Sequence, residues 1–393
     1  MLNPVYILSG NRTAIGSYGG SLKNHAPSTL AAAVTREAIA RSGVDAEVYE
    51  QAVFGNVIHT EARDMYVSRV AALEAGMSPH SRALTLNRLC GSGLQAIISA
   101  SQMLQLGDAE TAVAGGAESM SRAGYLLPNL RWGQRMGDAQ SIDMMTGVLT
   151  DPFGNGHMGV TAENVARQYE IDRTQQDAYA LQSHKRAAAA IAAGHFDTQI
   201  LPLEINPKRP GKVFSRDEHV RLEASIEDFS GLRPVFERDG SVTAGNASGL
   251  NDGAAAVTLA TEEAVSRLGA TPLARVVAYG HSGVAPEVMG LGPVDAVRQA
   301  LAKAQLSLAD IDLIESNEAF AAQACAVASI LEFPAEKVNP NGGAIAMGHP
   351  IGATGAILVV KALYELQRTG GRYGLITMCI GGGQGIALII ERI

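Results

Sequence analysis

The sequence predicts an α/β protein made of two related halves with a third region inserted between them. Three observations carry this expectation. Short apolar runs alternate with amphipathic stretches over residues 5–115 and again over 275–390, the pattern of strands exchanging with helices. Residues 121–160 lose that period, and the stretch beyond them reads as helix-rich. The length of 393 residues suits two or three domains of roughly 150 residues each.

In chain order, the pattern predicts a strand over 5–9 and a helix over 27–41, opened by Pro27 and closed by Gly43. A strand over 52–58, a helix over 65–75, a strand over 83–86, a helix over 90–106 and a strand over 112–115 follow. Thr161 and Asp172 are the expected caps of the helices in the inserted region, which carries an alanine run at 187–190. Residues 204–221 read as a basic loop with Lys208, Arg209, Lys212, Arg216 and Arg221. Strands are expected again over 275–280, 312–315, 375–379 and 386–390, with helices over 294–304, 320–331 and 352–366. In the last helix Ala356, Val359, Val360, Leu363 and Leu366 form one apolar stripe.

The outer parts read as loose copies of each other. In each, a strand ends at an Asn (Asn56, Asn317), and a glycine-rich turn opens a helix 35 residues later, at Gly91 and Gly352. A later strand then ends in paired glycines, Gly115-Gly116 and Gly381-Gly382-Gly383. The implied division is an N-terminal half over 1–120 with about 250–270, an insertion over 121–249, and a C-terminal half over 271–393.

Composition narrows the function. Thirty-one basic and 39 acidic residues give a net charge of -8, the wrong sign for a general nucleic-acid binder. Three cysteines without CxxC spacing suit neither a disulfide framework nor structural zinc, so no metal site is expected. The start runs straight into an apolar strand and no 18-residue apolar run occurs, so a cytoplasmic protein without membrane association is expected.

Four passages could carry chemistry. Cys90, in Asn87-Arg88-Leu89-Cys90-Gly91-Ser92-Gly93, sits between a strand and a helix, where unsatisfied N–H groups favour a thiolate. A buried structural thiol is the alternative reading. Gly91 to Ala96 also matches a dinucleotide fingerprint, but the acids that follow, Asp108 and Glu110, precede the next strand rather than end it. His349 is bracketed by Gly342, Gly343, Gly348, Pro350, Gly352 and Gly355, a rigid setting for a proton-transfer group. The P-loop spacing of Gly343 to Gly348 is followed by His349-Pro350 instead of Lys-Ser/Thr, so no nucleotide triphosphate site is expected. Cys379 ends a strand before a glycine turn whose N–H groups could face an oxyanion. Asn317, in Asn317-Glu318-Ala319-Phe320, ends another strand and could simply cap the next helix, while Cys325 reads as a core thiol.

Taken together, Cys90 in its NRLCGSG setting, Asn317-Glu318-Ala319-Phe320, Gly348-His349-Pro350 and Cys379 before its glycines resemble the signatures of the thiolase family, in the family's order. The resemblance runs from Arg12-Thr13-Ala14-Ile15-Gly16 to Gly385-Ile386-Ala387. Residues 63–66 and 279–281 resemble bacterial β-ketothiolases of broad chain-length tolerance. The resemblance implies a five-layered α/β fold of pseudo-duplicated core halves, and a reversible Claisen condensation of acyl-CoA with acetyl-CoA. It implies Cys90 as nucleophile, His349 as the acceptor of its proton and Cys379 as the base at Cα. The N–H groups of Cys90 and Gly381 would form one oxyanion hole, and His349 with a water on Asn317 the other. Leu149, His157, Met158, Arg221, Phe236, Ala244, Ser248, Met289 and Phe320 would contact coenzyme A, with Arg221 at its adenine or phosphate end. Asp228 stands where biosynthetic relatives carry Ser. No cofactor is implied beyond the coenzyme A thioesters, which are substrates; a homotetramer built as a dimer of dimers, with 121–140 at a contact, is. Fatty-acid and polyhydroxyalkanoate metabolism are the settings it suggests. A ketoacyl synthase would need a second histidine where this chain has other groups, a Cys-His-Asn hydrolase would leave Cys379 unexplained, and an acyl-CoA-binding protein needs no nucleophile.

Overall fold

The computed structural model describes residues 3–205 and 211–393; Lys208 and Arg209 of the basic loop lie outside the described residues. The N-terminal half contains β1 (Val5–Thr13), α1 (Pro27–Ser42), β2 (Gln51–Gly55), α2 (Val67–Glu74), β3 (Arg82–Leu86), α3 (Ser92–Leu106) and β4 (Thr111–Ser119). Helices α4 (Met158–Gln168) and α5 (Arg173–Ala192) belong to the region that follows. The chain returns through β5 (Asn251–Thr261), then β6 (Ala274–Gly283), α6 (Pro293–Ala304), β7 (Leu313–Ser316), α7 (Ala321–Leu331), α8 (Thr354–Thr369), β8 (Tyr373–Ile380) and β9 (Gln384–Arg392).

The strands repeat one topology twice. In the first half the order is β1-β5-β4-β2-β3, antiparallel for the first two pairings and parallel for the last two. In the second half β6-β9-β8-β7 follows the same sequence of pairings, and a parallel bridge from Ile314 to Val338 stands where a fifth strand would lie. Among the described residues, the two sheets pair through Tyr6 with Arg275 and Ile7 with Ala274. Helices α1 and α2 cover the outer face of the first sheet, α6 packs on the second, and α3 and α8 touch both sheets from between them. The result is the five-layered α/β arrangement expected.

Several expectations shift at their edges for local reasons. The strand expected over 52–58 stops at Gly55, because the N–H groups of Val57 and Ile58 turn to the Glu118 carboxylate instead of a neighbouring strand. Asp172 caps α5, accepting from the Gln175 N–H at 2.8 Å. Thr161 does not cap α4; His157 does, through Nδ1 and the Gly159 N–H at 3.0 Å, and Thr161 lies inside the helix with its hydroxyl on the Met158 carbonyl. Helix α8 is buried on nearly all sides rather than along one stripe, since it fills the central layer. Lys361 is buried within it, donating to Glu315 at 2.6 Å and to the Gly342 carbonyl at 2.8 Å. Strand β5, buried along its whole length between β1 and β4, has no counterpart in the sequence reading. Among the described residues, no helix is long and apolar enough to cross a membrane.

Glycines set how closely the two central helices approach. A Cβ on Gly93 would lie 2.8 Å from the Ala356 nitrogen and 3.0 Å from the Gly352 oxygen, and one on Gly355 would collide with the Leu94 backbone. Backbone cannot yield as a side-chain tip can. Gly93→Ala is therefore expected to destabilise the protein by about 1–3 kcal/mol, measured as a lowered urea midpoint; an unchanged midpoint would show that the helices can part freely.

Candidate active site

The tight helix crossing brings the turn at the head of α3 beside the turn at the head of α8. The first carries Cys90. The Asn87 side chain accepts the Leu89 N–H at 2.8 Å, and the Ser92 hydroxyl accepts from the Arg88 N–H at 2.8 Å while donating to the Leu89 carbonyl at 2.7 Å. These bonds hold Leu89 at φ +47°, a left-handed conformation that costs a side-chain-bearing residue about 1–2 kcal/mol. The kink presents the half-buried Cys90 sulfur to the N–H groups of Cys90 itself and of Gly381. Burial pushes the thiol up; those two N–H groups pull it down and Glu118 adds to the rise, leaving it raised. A protonated resting thiol needs a base.

His349 lines the same cavity as Cys90. Its backbone N–H donates to the Asn251 side chain at 2.9 Å, and Gly348, at φ +111°, leaves no room for a side chain against that amide. The Thr354 hydroxyl donates to the Pro350 carbonyl at 2.9 Å, so its oxygen accepts the proton on His349 Nδ1 at 2.6 Å. That assigns the tautomer: Nε2 keeps its lone pair. Nε2 is buried and has no partner among the described residues. Burial holds the imidazole down at about 4, so the ring is neutral.

Cys379 lies at the end of β8, fully buried, before the turn where Gly382 and Gly383 take φ +81° and +86°. Burial, and then the neighbouring Cys90 sulfur, hold its thiol far above its ordinary value. Cys90, His349, Cys379 and Gly381 all line one cavity of about 430 Å³.

Of the residues expected to contact coenzyme A, Leu149, His157, Met158, Phe236, Ala244, Ser248, Met289 and Phe320 line the same cavity. Phe236 stacks on His157 at 4.7 Å and meets Phe320 edge-on at 6.3 Å. Arg221 lies outside the cavity, exposed, with its guanidinium 5.8 Å from the Phe229 ring. Asn317 is also not in the lining; it is fully buried, and both polar atoms of its amide lack a partner among the described residues. Such a group costs about 1–3 kcal/mol unless something bonds it. The sequence reading missed Met120, Val235, Thr243, Ala247, Gly249, Leu250, Ala319 and Ile351 in the wall. Ala319 and Ile351 adjoin motif residues and could have been found; the others have no local signal. A mostly apolar chamber with two thiols and an imidazole suits an acyl thioester on a slender apolar arm.

Comparison with known proteins agrees along the full length. Residues 5–263 match the thiolase N-terminal domain and residues 270–392 the thiolase C-terminal domain. The chain belongs to the thiolase family. It is 59% identical to the beta-ketothiolase BktB of Cupriavidus necator, covering 100% of both chains. It is 47% identical to the acetyl-CoA acetyltransferase of Escherichia coli, covering 98% of each. Among solved structures, the Bacillus anthracis acetyl-CoA acetyltransferase superposes with a TM-score of 0.97 at 46% identity, covering 100% of this chain and 99% of that one. Human mitochondrial 3-ketoacyl-CoA thiolase in complex with CoA gives 0.97 at 43% identity, covering 100% and 98%.

The His349 geometry makes this thiolase testable by pH and by tautomer. With the ring held at about 4, it is a neutral proton acceptor above roughly pH 5. The acid limb of Cys90 acylation is expected near pH 4 rather than at the ordinary histidine value of 6.5; a limb centred at 6.5 would contradict the buried geometry. Thr354→Val removes the acceptor that fixes the tautomer. Turnover should fall roughly tenfold to a hundredfold, part of the ~10²–10⁴ that a positioned base supplies.

Proposed function

We propose that this thiolase-family acyltransferase carries its acyl group on Cys90 and uses Cys379 as the acid and base at carbon. The observation that carries the reading is the convergence of Cys90, His349, Cys379 and Gly381 on one apolar cavity. In the first half-reaction the Cys90 sulfur attacks the thioester carbonyl and its proton passes to His349 Nε2. The N–H groups of Cys90 and Gly381 receive the developing oxyanion. Cys379 gives its proton to the departing coenzyme A thiolate, leaving a thiolate opposite an imidazolium.

In the second half-reaction that thiolate removes a Cα proton from acetyl-CoA, and the enolate attacks the acyl group on Cys90. The carbon–carbon bond forms, the Cys90–acyl bond breaks, and the imidazolium returns its proton to Cys90. A thiol held well above its ordinary value is a poor leaving proton at rest and a strong base once ionised, which suits removal of a weakly acidic α-proton. Burial of Asn317 with an unpaired amide supports its role in holding a water at the enolate oxygen with His349. Ser248 and the His157–Phe236 stack suit the pantetheine arm, and Arg221 the anionic end outside the cavity. The reaction fits cytoplasmic fatty-acid or polyhydroxyalkanoate metabolism. A ketoacyl-synthase reading explains neither Cys379 nor Asn317.

Two variants separate the half-reactions. Cys90→Ser should show no covalent acetyl adduct with acetyl-CoA by intact mass; Cys379→Ser should acetylate at Cys90 yet form less than about a thousandth of the wild-type condensation product. Persistent turnover in Cys90→Ser would sink the assignment.

We also propose a homotetramer, a dimer of dimers, with the 121–140 segment at a contact. Trp132 is 88% and Met136 91% exposed, beside exposed Tyr125, Leu126 and Leu130; so many large apolar groups in one segment mark an interaction surface. Sedimentation velocity should give about four times the chain mass of 41.0 kDa. A monomer would refute it.

A further inference from the structure

The duplicated halves repeat a position that the reaction uses only once. Cys379 lies 62 residues after Asn317, and Glu118 lies 62 residues after Asn56. The sheet register agrees. Gly55 pairs with Gly116 and Ser316 with Thr377, so Glu118 and Cys379 each stand two residues beyond the partner of the residue preceding the Asn. Each also faces the helix-opening turn of the other half: Cys379 the Cys90 turn, Glu118 the turn at Gly352. Glu118 is thus the internal twin of the residue assigned above as the base.

Its surroundings differ from those of its twin. Glu118 is fully buried. Oε1 accepts from the Asn56 side-chain amide and the Ile58 N–H, each at 3.1 Å; Oε2 accepts from the Val57 N–H at 3.1 Å and the Gly352 N–H at 2.9 Å. Four donors and no acceptor favour the ionised carboxylate, while burial opposes it. Three donors belong to the N-terminal half and the fourth to the turn that begins at His349. A side chain on Gly352 would meet the same carboxylate.

We propose that Glu118 is a positioning residue for acyl transfer: its carboxylate clamps the His349–Gly352 turn onto the nucleophile half and so holds His349 in place beside the Cys90 turn. This rests on the roles given above to Cys90 and His349. Burial pushes the Glu118 carboxyl up to about 8 and the Cys90 thiol above its ordinary 9.0, so the carboxylate is ionised where the thiol titrates. The other titratable groups around the pair are Asp64, which adds to the rise at Glu118, and Cys379 and His349 on the cavity side.

The test follows iodoacetamide alkylation of Cys90 against pH by peptide mass spectrometry, alongside steady-state turnover, in wild type, Glu118→Gln and Glu118→Asp. In Glu118→Gln, and in Glu118→Asp, whose carboxylate falls short of Gly352, kcat should fall about tenfold or more with little change in KM, while Cys90 still alkylates fully at high pH. Wild-type kcat, a loss that falls on KM instead, or a Cys90 that no longer alkylates overturns the proposal. Should Glu118→Gln fail to fold, kcat and KM in Glu118→Asp decide it alone. Acetylation of wild-type Cys90 is followed in the same samples: its absence would overturn the nucleophile assignment, whereas acetylation with unmoved Glu118 readouts overturns this proposal only.

Discussion

The contact between the two central helices is the constraint on which the rest depends. Helices α3 and α8 meet backbone to backbone through Gly93 and Gly355, nearer than any side chain would allow. Their N-terminal turns carry Cys90 and His349, so the closeness of the crossing sets how near the thiol and the imidazole lie. Neither half could supply both groups. Among the described residues the two sheets are joined by two residue pairs, so the helix layer carries the registration of one half on the other, helped by the Glu118 bridge to Gly352.

Burial then does the electrostatic work. It raises both thiols and lowers the imidazole, so these three groups are neutral at rest. A site built this way protects its thiols from idle reaction and keeps a strong base in reserve. The strain at Leu89 and the bonds of Asn87 and Ser92 fix the Cys90 turn before substrate arrives, so little reorganisation is left for the reaction itself.

The three polar groups that meet in the cavity were legible in the sequence because each sits in a local pattern: a Cys before a helix-opening glycine turn, a His among glycines and prolines, a Cys before three glycines. The duplication was legible from the Asn-to-turn spacing, and the topology of the two sheets repeats accordingly, but Gly115 and Gly116 lie inside β4 rather than ending a strand as Gly381 to Gly383 follow β8. Strand β5 was not legible. Asn251–Thr261 is buried on both faces between two strands, so it lacks the alternation that marks a half-exposed strand, and its alanines read equally as helix. The cavity wall at Val235, Thr243 and Ala247 comes from an aperiodic region that only tertiary contact brings to the thiols. Glu118 was hidden for another reason: a lone acid ending an apolar strand looks like a surface residue until its four donors are counted.

The central claim is that one cavity holds two thiols with separate tasks, one forming the bond to the acyl group and the other moving the proton at carbon. Deuterium incorporation into the methyl group of acetyl-CoA in D₂O, followed by proton NMR, reads the second task alone. The account predicts incorporation by the wild-type enzyme and its loss, by at least about a thousandfold, in Cys379→Ala with Cys90 still acetylated. Incorporation at the wild-type rate in Cys379→Ala would contradict it.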